Sequence, residues 1–213
     1  VKPKVVFISN STEVGTVYTR SDLENISRTC RENHLVLYMD GARLGSALTS
    51  KESDLTLPDL CNLTDMFYVG GTKNGALLGE ALVINTPALQ EDFRYHLKQR
   101  GALLAKGRVI GAQFVGLFQD DLYFDLARHA NAMAEKLVTG LQNRGIGFLT
   151  RSTTNQIFPI FSNKLIETLQ KYYGFYVWSK VDASQSAVRL VTSWTTPEEK
   201  VNEFIQTIDQ LLH

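Results

Sequence analysis

The chain has 213 residues, 44% hydrophobic and 21% charged, ordinary proportions for a soluble globular protein with a sizeable core. Its 22 basic and 22 acidic side chains cancel, which removes any general attraction to nucleic acid or an anionic membrane. The apolar runs are too short to span a bilayer, and the isolated Cys30 and Cys61 make neither a disulfide framework nor a zinc site. With no signal-peptide pattern at Val1 the expected setting is cytoplasmic.

The first strand-like run covers 5–9. A helical pattern follows from Ser21 to Asn33, with Ser21 as N-cap and Glu24 three residues later completing a capping box. Further strands are expected at 35–39, 66–69 and 81–84. Strands separated by helical segments imply βαβ units and a mainly parallel sheet. Four strands are few for a doubly wound sheet that stands alone.

From Pro87 the pattern turns helical: a short amphipathic segment at 89–97, then a long one at 113–144, broken near Asp120-Asp121 and ended by Gly145 as a C-cap. A strand at 156–161, a helix at 164–172, strands at 175–178 and 187–193, and a last helix from Pro197 to Leu212 complete the chain. Thr196 before Pro197 and Glu198 is a good helix start. The expected division is 1–110 for the sheet-bearing unit and 111–213 for a small α+β unit.

Two strand ends carry chemistry. The run 65–69 leads into Gly70-Gly71-Thr72-Lys73-Asn74-Gly75, and the run 35–39 into Asp40-Gly41-Ala42-Arg43-Leu44-Gly45. Open α/β sheets bind ligands at such ends, and glycine allows close backbone approach. An amine beside a carboxylate suits pyridoxal 5′-phosphate, whose carbonyl needs an amine and whose ring nitrogen needs a carboxylate. The plainer readings are a solvated loop lysine and an aspartate serving as cap or turn former.

These segments, with Ile8-Ser9-Asn10-Ser11-Thr12-Glu13-Val14-Gly15-Thr16 and Val188-Arg189-Leu190-Val191-Thr192-Ser193-Trp194, resemble the threonine aldolase/β-eliminating lyase family, fold-type I pyridoxal phosphate enzymes. The resemblance implies an α/β fold: part of a mainly parallel sheet of the large domain, then the small α+β C-terminal domain. It implies that a substantial segment precedes Val1 in such enzymes, and that it holds their ring-stacking histidine and Gly-Thr phosphate turn. His34, His96, His129 and His213 fall outside the matching context and are read as surface or core residues.

By resemblance, Lys73 attaches pyridoxal 5′-phosphate and Asp40 holds its ring nitrogen protonated, with Thr72 beside them. Arg43 and Arg189 bind the substrate carboxylate, a task that suits the planar guanidinium; for Arg189 a structural ion pair is the alternative. In the basic run from His96 to Arg108, Lys98 and Arg100 are the first candidates for the cofactor phosphate and Arg108 a third, against a solvated helix face. The implied activity is cleavage of a β-hydroxy amino acid to glycine and an aldehyde. β-Elimination, or an inactive fragment or partner subunit, are the alternatives. The expected partners are an amino acid substrate and further copies of the chain, as a dimer or tetramer.

Overall fold

The computed structural model describes residues 1–212; His213 lies outside the described residues. The first sheet runs β1 (Val5–Ser9), β2 (Val36–Asp40), β3 (Met66–Gly70), β4 (Glu80–Ile84), in that spatial order. β1, β2 and β3 are parallel, and β4 returns antiparallel to β3. The crossovers are α1 (Arg20–Glu32) after β1, and α2 (Leu44–Leu48) and α3 (Leu57–Leu63) after β2.

Alternation along the strands divides the sheet. Leu37, Met39, Phe67 and Val69 point to one side and are buried with Leu23 and Cys30 of α1, Leu44 of α2 and Leu60 of α3. Phe7, Tyr38 and Tyr68 lie on the other face as an aromatic row, with ring centroids 5.4 Å and 6.4 Å apart. Asp40, two residues after Tyr38, is on that same face.

The N-cap of α1 is Thr19, two residues before the expected one. The Thr19 N–H and hydroxyl both donate to the Asp22 carboxylate, and the Asp22 N–H donates back to the Thr19 hydroxyl. Thr-x-x-Asp thus satisfies the first turn and leaves Ser21 inside the helix. The sequence pattern had missed α2 and α3. The expected helix at 89–97 is instead a 3-10 turn at Pro87–Leu89 and α4 (Phe93–Gln99), separated at Asp92, whose φ of 54° interrupts any continuous helix.

α5 (Arg108–Phe118) and α6 (Leu122–Gln142) meet at the expected break, where Asp120 and Asp121 take left-handed backbone angles, φ 51° and 59°. The second sheet centres on β8 (Gln185–Val191), paired antiparallel with β5 (Gln156–Ile157), β6 (Ile160–Ser162) and β7 (Tyr176–Lys180). The single strand expected at 156–161 is divided at Pro159, which has no N–H to give; its carbonyl accepts from the Val188 N–H. α7 (Asn163–Leu169) and α8 (Glu198–Leu212) pack with α6 on this sheet. The core there includes Leu137, Leu141, Phe161, Leu169, Val188 and Ile208. Among the described residues no helix is long and apolar enough to cross a membrane.

Candidate active site

Three neighbouring parallel strands end at one edge, and each passes into a loop carrying charge. Ser9 of β1 is in register with Asp40 of β2, and the Asn10 N–H donates to the Asp40 carbonyl at 2.9 Å. The loop after β1 is tied by Thr12 N–H to the Thr16 carbonyl and by the two threonine hydroxyls, 2.7 Å apart, with Glu13 between them. After β2 come Gly41, Ala42 and Arg43. The loop between β3 and β4 carries Thr72 and Lys73.

The last two loops lock together through backbone. The Gly70 N–H donates to the Gly41 carbonyl at 2.9 Å. A Cβ on Gly41 would lie 1.7 Å from the Tyr68 carbonyl oxygen, and one on Gly70 2.4 Å from that of Ala42. Only glycine at both positions lets Asp40 and Lys73 come from loops this close. Behind them Tyr123 of α6 accepts from the Gly45 N–H and donates to the Gly70 carbonyl, both at 3.1 Å, while its own carbonyl takes the Asn74 side-chain amide at 2.7 Å. The Gly71 N–H donates to Glu80 at 2.6 Å, fixing the lysine loop from the other side.

Asp40 is half-buried and oriented. Its Oδ1 accepts from the Ala42 N–H at 2.8 Å and the Tyr68 hydroxyl at 2.6 Å; its Oδ2 makes no hydrogen bond among the described residues. The Lys73 side chain is accessible, yet burial, and after it the positive Arg43, holds its amine below the usual lysine value against the pull of Asp40, Glu13 and Glu80. Burial and then Arg189 lower Arg43, with Glu13 and Asp40 opposing. Lys73, Asp40, Arg43, Glu13 and Arg189 therefore share one electrostatic neighbourhood, although they come from four separate stretches of chain.

Arg189 reaches it from β8. Its guanidinium carbon lies 5.5 Å and 5.4 Å from the ring centroids of Tyr176 and Trp178 on β7, a cation–π clamp. Its Nε is buried without a hydrogen-bond partner. Neither Arg43 nor Arg189 makes an ion pair among the described residues. A cleft of about 690 Å³, lined by Tyr176, Leu190, Thr192 and Phe204, opens onto Arg189 but is not lined by Asp40, Arg43 or Lys73.

The other sequence candidates are exposed. Thr72 is exposed and its hydroxyl makes no hydrogen bond among the described residues. Lys98 at the end of α4, Arg100 just after it and Arg108 at the start of α5 are exposed, and none makes an ion pair among the described residues. Sequence reasoning had assigned no role to Asn10, Glu13 or Tyr68. Asn10 is wholly buried, and neither polar atom of its side-chain amide has a partner. Asn10 and Glu13 fall inside the quoted segment 8–16; Tyr68 carries no local signal, because its partner is on the next strand.

Residues 1–164 match the model of a family described as beta-eliminating lyase. The chain belongs to this family. Among curated relatives, a low specificity L-threonine aldolase of Pseudomonas aeruginosa is 36% identical over 209 residues, 97% of the chain and 59% of that protein. A threonine aldolase structure from Leishmania major superposes with a TM-score of 0.97 at 46% identity, over 100% of the chain and 62% of that one. An aromatic aminotransferase from Pyrococcus horikoshii, TM-score 0.68 at 14% identity, shares the fold alone. The chain thus spans about three-fifths of the length of the family members it matches.

Proposed function

We infer that this chain carries the amine, the ring-nitrogen carboxylate and the substrate-carboxylate arginines of a pyridoxal phosphate-dependent aldehyde-lyase. Such an enzyme cleaves the Cα–Cβ bond of a β-hydroxy amino acid to glycine and an aldehyde. One observation carries the reading: Arg43, half-buried without an ion pair and within electrostatic reach of the equally unpaired Arg189, lies beside a lysine of lowered basicity and a carboxylate with one free oxygen. A buried cation without a partner is costly, so this arrangement suits a ligand that brings the missing negative charge. The names of the relatives support the same chemistry.

The donor set fits pyridoxal 5′-phosphate. When bound, that group withdraws electrons from the substrate Cα. Lys73 offers a nucleophilic amine, because burial and Arg43 favour the uncharged form. Asp40 Oδ2 is free to accept the ring N–H while Oδ1 is held. Arg43 and Arg189 would take the α-carboxylate, orienting the bond to be broken. Lys98 and Arg100 remain the candidates for the cofactor phosphate, exposed and without an ion pair among the described residues.

The family description keeps β-elimination as the second reading. Product analysis separates them: acetaldehyde and glycine from L-threonine support aldol cleavage. Pyruvate and ammonia from a substrate with a β leaving group, with L-threonine untouched, would replace it. A cytosolic setting fits the free Cys30 and Cys61. Exposed Leu77, Tyr95, Val109 and Val115 support burial against further copies of the chain.

A further inference from the structure

The carboxylate assigned to the ring nitrogen is not held by its own loop alone. The Ala42 N–H is a short-range contact made two residues away, as in any Asx turn. The Tyr68 hydroxyl comes from the neighbouring strand, 28 residues on in sequence, and reaches the same Oδ1 at 2.6 Å. Two donors on one oxygen fix the plane of the carboxylate and leave Oδ2 as its free acceptor. Tyr68 is itself held: its ring packs 6.4 Å from that of Tyr38, which packs on Phe7.

We propose that Tyr68 is a positioning residue for Asp40, aiming Oδ2 at the ring nitrogen of the cofactor. The inference rests on the reading of Asp40 given above. Burial, then the hydrogen bond to Asp40, raises the Tyr68 phenol well above its usual value, so it remains a donor throughout the working pH range. Tyr38 supplies an internal control. It shares the face and the aromatic row, but its hydroxyl makes no hydrogen bond among the described residues.

The test is a double-mutant cycle on pyridoxal phosphate affinity, measured by absorption titration of the holoprotein and its variants. Tyr68→Phe should weaken binding on the order of tenfold, the low end for a hydrogen bond to a charged group. In an Asp40→Asn background the same change should add little, because the partner through which Tyr68 acts is already altered. Equal losses in both backgrounds, no loss in the parent background, or an equal loss from Tyr38→Phe would overturn the proposal. Should Asp40→Asn itself bind like the parent, the assignment of Asp40 fails first, and that result is distinct from the others. As a variant that keeps ring and fold, 3-fluorotyrosine at position 68 makes the hydroxyl a stronger donor. Cofactor affinity must then change, and an unchanged value overturns the role.

Discussion

Arg20 and Arg43 make a useful contrast, since each lies against partly buried surface in the same half of the chain. Arg20 meets Asp59 with two guanidinium nitrogens, one of them at 2.7 Å, and Asp59 also closes the capping box of α3 with Thr56. Its charge is answered within the fold, and its basicity rises accordingly, chiefly through that hydrogen bond. Arg43 makes no ion pair among the described residues, and burial first, then the nearby Arg189, lowers its basicity against Glu13 and Asp40. The same residue type is thus structural where the chain supplies the anion, and under the proposed function it serves where the anion must arrive from outside.

The largest expected effect falls on the lysine beside Arg43. Lys73→Ala should abolish borohydride-trapped labelling by pyridoxal phosphate; undiminished labelling would remove Lys73 from the site. Next comes Arg189→Lys, which keeps the charge but loses the planar fork. Its cost in kcat/KM should be about 1.5–3 kcal/mol, the value of a hydrogen bond to a charged group, with cofactor affinity little changed. An unaltered kcat/KM would make Arg189 structural, as Arg20 is.

A smaller effect concerns pH. The Lys73 amine is lowered by burial and Arg43, so it reacts when uncharged at a pH where surface lysines are still protonated. Labelling of Lys73 should persist as pH falls below the usual lysine range and be lost through its own lowered value. Arg43→Gln, by removing a positive neighbour, should move that loss to higher pH. Labelling of Lys73 that follows the surface lysines would contradict this. The smallest functional effect belongs to Arg20→Ala. It should lower the thermal midpoint, since Asp59 loses its partner, and leave the substrate KM unchanged. A raised KM would erase the contrast.

The strands of the first sheet were legible because alternation over four or five residues is a local signal, and so were the two loops bearing Asp40 and Lys73. α3 was not read, although its cap, Thr56-x-x-Asp59, is plain, because seven residues give too little periodicity. The division of the strand at Pro159 was visible in principle: a residue without an N–H cannot continue the ladder. What no local pattern carries is register between distant strands. The Tyr68–Asp40 bond depends on how β2 lies beside β3, and the rings over Arg189 on how β7 lies beside β8. At Lys98 and Arg100 charge density is easily read, but it does not say what either side chain will face.

The two hydrophobic cores are not independent bodies. α6 enters the first with Tyr123 and the second with Met133, Leu137 and Leu141, and its Ala130 carbonyl accepts the Thr192 hydroxyl at 2.6 Å, just past the strand that bears Arg189. Fraying this helix would release both cores at once, so its central amides should exchange hydrogen only with global opening. Loss of the lysine loop and loss of the arginine strand would then be a single cooperative event. Heat or denaturant should not yield a partly active species that retains one and has shed the other.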